Sequence, residues 1–90
     1  MMPYLWDDAA WEDYQYWASQ DKRTCRRVNA LLKEISRSAK AGDKPFGKAE
    51  LLKHSKSGLC SVRIDKANGL IYLVDGETVR IVSCKGYYQD

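Results

Sequence analysis

Ninety residues with a net charge of +3, 44% hydrophobic and 30% charged, are enough for one domain built on one modest core. No apolar run approaches the roughly 20 residues that cross a bilayer. The opening Met1-Met2-Pro3-Tyr4-Leu5-Trp6-Asp7-Asp8 has neither the basic nor the apolar region of a secretory signal, so a cytoplasmic protein without a membrane partner is expected.

Three scattered cysteines, Cys25, Cys60 and Cys84, show no CxxC spacing, and His54 is the sole histidine. This pattern argues against a structural zinc site and for small buried thiols in a reducing compartment. A Cys–His nucleophile pair has no local signature here. Charge is unevenly spread. Residues 4–21 carry Asp7, Asp8, Glu12, Asp13 and Asp21 and no lysine or arginine. Residues 22–56 hold eleven basic residues, among them Arg23, Arg26, Arg27, Lys33 and Arg37, against Glu34, Asp43 and Glu50. A cationic face of this kind suits a phosphate backbone, although a solvated helix face would look the same.

In chain order, Tyr4-Leu5-Trp6 reads as a short strand, and Asp7 as the N-cap of a first helix. Ala10, Trp11, Tyr14, Trp17 and Ala18 recur at helical spacing and form one aromatic stripe, expected in the core. Asp21 is placed to cap a second helix that buries Cys25, Val28, Leu31, Leu32 and Ile35, giving an αα-hairpin. Ser36 to Lys48 turns polar, with Gly42, Pro45 and Gly47, and reads as a basic loop. A short strand is expected near Glu50-Leu51-Leu52. Cys60, Val62 and Ile64 then alternate with Ser61, Arg63 and Asp65, a strand with Arg63 on its open face. Lys66-Ala67-Asn68-Gly69 has turn chemistry. Leu70–Val74 is an unbroken apolar run, fit for a central strand covered on both faces. Asp75-Gly76 signals a type I′ hairpin into Thr78–Cys84. The order β-α-α-β-β-β-β predicts an α+β fold: a short N-terminal strand, an αα-hairpin, then a mostly antiparallel sheet of about four strands.

RNA can be cut without a metal if its own 2′-hydroxyl attacks the neighbouring phosphate. That needs a base, an acid for the leaving 5′-oxygen, and cations for the developing charge. A sheet face bearing Glu50, Lys53, Arg63, Lys85 and Tyr88 holds most of these parts, and Tyr87 and Tyr88 offer rings for base stacking. Read singly, each of these charged residues is equally a solvated surface residue, and His54 a turn or packing residue.

Several segments, taken together, resemble one known family. They are Trp6 with Trp11-Glu12-Asp13-Tyr14 and Tyr16-Trp17; Asp21-Lys22-Arg23; Glu50-Leu51-Leu52-Lys53-His54 with Ser57-Gly58; Arg63-Ile64; Leu70-Ile71-Tyr72; and Ser83-Cys84-Lys85-Gly86-x-Tyr88. The chain is similar along nearly its whole length to the Txe/YoeB family of RelE-superfamily toxins, the ribosome-dependent mRNA interferases of bacterial type II toxin–antitoxin modules. The resemblance implies a microbial-RNase-like fold. It implies cleavage of mRNA in the A site of the 70S ribosome through a 2′,3′-cyclic phosphate, without metal or cofactor. By position Glu50 matches the general base, Lys53 and Arg63 the phosphate-side cations, and Tyr88 a tyrosine that shapes the site. With Lys53, the residues His54, Lys85, Arg23 and Arg26 are candidate RNA contacts. The implied partners are a YefM/Phd-type antitoxin whose disordered tail orders on binding, operator DNA through that complex only, and a second copy in a homodimer.

Two positions depart from the family pattern. Gly69 stands where an arginine belongs and Tyr87 where a histidine general acid belongs. Glycine offers no charge, and a tyrosine with a pKa near ~10 is a sluggish donor. Each loss typically costs about two to three orders of magnitude in rate. Introduced or selected inactivation is one account. A naturally attenuated branch, with Tyr87 as weak acid and Lys85 in place of the arginine, is the other. The functions that follow are an impaired interferase or a non-catalytic toxin-fold module that binds antitoxin or ribosome. A gyrase-targeting toxin of the related ParE type would have no reason to keep Glu50 or Leu52-Lys53-His54.

Overall fold

In the computed structural model, which describes residues 3–41, 49–52 and 58–86, the elements run β1 (Tyr4–Trp6), α1 (Asp8–Gln20), α2 (Lys22–Lys40), β2 (Glu50–Leu51), β3 (Cys60–Arg63), β4 (Gly69–Asp75) and β5 (Thr78–Ser83). The strands form one sheet in the order β1-β5-β4-β3-β2. Among the described residues only the β1–β5 pair is parallel. The expected α+β order of one leading strand, two helices and four further strands is what forms, but the sheet has five strands and not about four, because β1 joins its edge beside β5.

Both helices cover one face of the sheet. Alternation sends Cys60, Val62, Ile64, Tyr72, Val79 and Ile81 toward them. Val28, Leu31, Leu32 and Ile35 meet these from α2, and Ala10 and Trp17 from α1. The α2 residues recur at three- and four-residue steps, so one stripe of that helix is buried while Arg23, Arg26 and Arg27 stay exposed. Among the described residues no helix is long and apolar enough to cross a membrane.

Asp21 alone separates α1 from α2, and it caps α2 as expected. Its carboxylate accepts from the Thr24 backbone N–H at 3.1 Å and from the Thr24 hydroxyl at 2.8 Å. These bonds stabilise the ionised form and hold its pKa below the ordinary value. Asp7 sits at the N-cap of α1, yet its side chain does not cap the helix. Its carboxylate instead takes a bidentate pair from Arg80 at 2.8 and 3.1 Å, a charged partner in place of a neutral N–H.

Four further details differ from the sequence reading. α2 continues through Lys40, so Ser36–Lys40 is helix and not loop. Ile35 and Ser36 are buried there, and Arg37 and Lys40 complement the negative helix end. The rest of that predicted loop, 42–48, lies outside the described residues. The β4–β5 loop is Gly76-Glu77, closed by the Asp75–Thr78 pair. Only Gly76 has positive φ there (60°), which is the type II′ pattern; type I′ needs positive φ at both loop residues. The stripe on α1 splits, because Trp17 is buried while Trp11 is 45% exposed and Ala18 is open. Trp11 packs instead edge-on to Trp6 and stacks on Tyr14 in a cluster at the helix start. Finally, the β3–β4 turn spans 65–68, and Gly69 is already strand.

Candidate functional site

The face of the sheet turned away from the helices is set by register. Glu50 pairs with Ser61, Ser61 with Ile71, and Arg63 with Gly69. Cross-strand partners share a face, and residues two apart on one strand do too. Glu50, Ser61, Arg63 and Gly69 therefore lie on one surface, opposite the core positions Cys60, Val62 and Leu70. Glu50 and Arg63 are exposed. As diagonal neighbours they sit about 7–8 Å apart at the backbone, a span that two long side chains can close around a phosphodiester.

Gly69 is the closest neighbour of Arg63 on β4. Its N–H donates to the Gly86 carbonyl at 2.8 Å, away from β3. The Arg63–Gly69 pair is therefore of the non-hydrogen-bonded kind, with Cα atoms about 4.5 Å apart. Gly69 does not have positive φ, so nothing in its backbone conformation requires glycine.

The same N–H ties the Cys84–Gly86 segment to this place. After β5, Cys84 is held from three directions. Its N–H donates to the Asp13 carboxylate at 3.0 Å, its carbonyl accepts the Trp17 indole N–H at 2.8 Å, and its thiol lies 3.7 Å from the Ala10 carbonyl. Gly86 is tied on both sides, donating to Asn68 Oδ1 at 2.8 Å and accepting from Gly69. Burial, and then the nearby Asp13 charge, push the Cys84 thiol up to about 12. Burial raises Cys60 and Tyr72 as well. None of the three ionises near neutral pH, so they serve as packing and not as nucleophiles or bases.

Of the other expected site residues, Lys85, Arg23 and Arg26 are described, and they belong to the helix side. The Lys85 ammonium lies 4.4 Å from the Tyr16 ring centroid on α1, in the helix layer. Arg23 and Arg26 are exposed on α2, in that same layer. Farther along α2, Lys33, Ser36, Arg37 and Lys40 line an open cavity of about 230 Å³, which extends the basic helix face. Lys53, His54, Tyr87 and Tyr88 lie outside the described residues.

Glu50 and Arg63 thus stand exposed on one sheet face, with the Cys84–Gly86 segment tied to the strand beside them. Residues 6–88 match the family described as YoeB-like toxin of bacterial type II toxin-antitoxin system. The chain belongs to that family. Toxin YoeB of Escherichia coli (strain K12) is 37% identical over 87 residues, covering 97% of this chain and 100% of the relative. Toxin YoeB of Synechocystis is 34% identical over 88 residues, covering 98% and 99%. Among solved structures, the YoeB dimer from Staphylococcus aureus aligns with a TM-score of 0.83 at 36% identity, over 97% of this chain and 98% of that one. The heterotetrameric YoeB–YefM complex from the same organism gives 0.81 at 35% identity, over 98% and 99%. A YafQ mutant from E. coli, 13% identical with a TM-score of 0.71, shares the fold alone.

In this YoeB-family chain, the residues that sequence reasoning passed over are the ones that anchor Cys84 and Gly86. Asp13 reads as one more acid of a helix start, Trp17 as core, and Asn68 as turn chemistry. A signal was present in the Asp65-x-x-Asn68-Gly69 run, which combines a turn acid with an amide next to a predicted site position. Nothing local marks Asp13, whose partner is 71 residues away.

Proposed function

We propose that this YoeB-family toxin is a ribosome-dependent endoribonuclease whose present form is impaired by Gly69 and Tyr87. In this reading the Glu50 carboxylate removes the proton from a ribose 2′-hydroxyl of A-site mRNA. The freed oxygen attacks the adjacent phosphorus as the P–O5′ bond breaks, and the group at position 87 returns a proton to the 5′-oxygen. The products are a 2′,3′-cyclic phosphate and a 5′-hydroxyl. Arg63, with Lys53, neutralises the phosphate, and Tyr88 shapes the site. The basic face of α2, with Arg23 and Arg26, meets a phosphate backbone elsewhere on the ribosomal complex.

The observation that carries this reading is the Arg63–Gly69 cross-strand pair, tied through the Gly69 N–H to Gly86. It puts the arginine-matching position directly across from a present arginine, one peptide short of the acid-matching position in sequence. A YefM-type antitoxin and a second copy of the toxin are the proposed partners, supported by similar chains solved as a YoeB–YefM heterotetramer and a YoeB dimer.

Primer extension on programmed ribosomes, with this chain and its Gly69→Arg/Tyr87→His form each freed of antitoxin, tests the reading. A-site cuts from the doubly substituted form, and few from this chain, are expected. Equal cutting by both refutes the roles given to positions 69 and 87. No cutting by either favours the second reading, a toxin-fold module that binds antitoxin without cleaving. That reading draws on the bare glycine across from Arg63.

A further inference from the structure

Asn68 uses all of its polar groups. Its backbone carbonyl accepts from Ile64 N–H at 2.9 Å and from Asp65 N–H at 3.2 Å, closing the β3–β4 turn. Its side-chain Nδ2 donates to both oxygens of the Asp65 carboxylate, at 3.0 and 3.2 Å. Its side-chain Oδ1 accepts the Gly86 N–H at 2.8 Å. The Asp65 carboxylate is itself fixed, accepting from Ala67 N–H at 2.8 Å. Two demands set the orientation of the amide. The Gly86 N–H must meet an acceptor and the Asp65 carboxylate must meet a donor, so a side chain offering one of each is required.

We propose that Asn68 is a positioning residue: its amide couples the Asp65 turn to the Cys84–Gly86 segment and thereby fixes the direction in which that segment passes Gly69, across the strand from Arg63. The inference rests on the reading of those positions as the reaction centre. Cys84 is held independently by α1, so it sets where the segment starts but not its direction two residues later. Direction is set at Gly86, where Asn68 and the Gly69 N–H hold opposite sides of one residue. Gly86 has a φ of 75°, a left-handed conformation that turns the chain at this point. Without the amide, the bond from Gly69 would be the one described hydrogen bond left at Gly86, and a single bond leaves that residue free to pivot.

The test reads the clamp first and the chemistry second. By amide hydrogen exchange on this chain, Asn68→Ala is expected to speed exchange at Gly86 about three- to tenfold, the net effect of one hydrogen bond. Cys84, held by Asp13, should not change. Asn68→Asp faces one carboxylate with another and should also loosen Gly86. The exchanged pair Asp65→Asn/Asn68→Asp restores a donor facing a carboxylate, and should restore protection. An Asn68→Ala protein with unaltered Gly86 exchange overturns the clamp, as does an exchanged pair no better than Asn68→Asp. The Asn68→Asp comparison decides alone if Asn68→Ala does not fold.

In the Gly69→Arg/Tyr87→His background, Asn68→Ala should lower single-turnover cleavage about ten- to hundredfold with ribosome affinity unchanged, as misplaced reacting groups do, and the exchanged pair should recover it. Full cleavage with a loosened Gly86 overturns the positioning role. A Gly69→Arg/Tyr87→His chain that does not cleave overturns the proposed function instead, and the exchange result then stands separately.

Discussion

Gly69→Arg places a second guanidinium across the strand from Arg63, and the register sets the scale of every consequence. A non-hydrogen-bonded pair holds the two Cα atoms about 4.5 Å apart, and long side chains let the charged heads separate to about 6 Å. In water that repulsion is worth about 0.7 kcal/mol, within the range for like charges directly opposite in a sheet. Replacing a strand glycine with a residue that has a Cβ returns about 0.5–1 kcal/mol, since the backbone at 69 needs no positive φ. The two terms nearly cancel, so charge and backbone together should move the melting temperature by no more than about 4 °C, and a larger fall would show that the buried position at 69 is too close-packed for the side chain.

A phosphate between the two guanidiniums reverses the sign of the electrostatics. A fixed donor aimed at charge that develops in the transition state is worth about 10²–10³ in rate. Single-turnover cleavage on programmed ribosomes should therefore rise about a hundredfold on Gly69→Arg, in the chain as it stands and in the Tyr87→His background alike. The gain should shrink when Arg63→Ala is added, because the two cations share one anion and their effects couple. An unchanged rate with unchanged melting and ribosome binding would refute the argument. So would a gain that survives Arg63→Ala intact.

Other consequences can be checked on the protein alone. Trp17→Phe strips the donor from the buried Cys84 carbonyl and removes ring volume from the core, at a cost of about 2–4 kcal/mol in urea unfolding; a change below about 0.5 kcal/mol would show that the indole bond does not anchor the segment. Asp21 has a folded pKa below its ordinary value, so its contribution is fully present above the unfolded pKa and lost as pH falls through the folded one. Asp21→Asn keeps an acceptor for Thr24 but cannot titrate; the chain should melt above it at pH 7 and lose that advantage as pH falls below the ordinary carboxylate range, and parallel pH profiles would contradict this. Iodoacetamide on the native protein at pH 8 should label half-buried Cys25 and spare Cys60 and Cys84 until denaturant is added; native labelling of Cys84, whose thiol is pushed up to about 12, would contradict its burial.

Most of the fold was legible because it rests on local pattern. Alternation gave β3 and the face of Arg63, three- and four-residue steps gave the buried stripe of α2, and Asp21 before Lys22 gave the cap. What was not legible depended on partners far along the chain. Asp7 is a sound N-cap by sequence, but Arg80 arrives 73 residues later and takes its carboxylate. Trp11 shares the helical spacing of the core, yet α1 turns it toward Trp6 and the surface. Lys85 lies in the motif that ends the chain, but its side chain finds the Tyr16 ring in the other layer. Glu50 and Arg63 were found together only because the pairing of β2 with β3 has the register that the alternation required.

The separation between what folds this protein and what it does explains why its two departures sit where they do. Asp13, Trp17 and Asn68 fix the chain end through bonds to Cys84 and Gly86, and none of these depends on the side chain at 69. The bond that Gly69 does make uses its backbone N–H, which any residue but proline would supply. Position 87 follows the last of these anchors in sequence. On the proposed reading both departures cost reactive groups, while the bonds that hold Cys84 and Gly86 stay in place. The same separation gives the choice between impaired enzyme and binding module a physical form. If Gly69→Arg and Tyr87→His recover cleavage with little change in melting, the scaffold has kept the geometry of the reaction and lost only its reagents. If they leave the protein folded and inert, that geometry has gone as well, and binding is the function that remains.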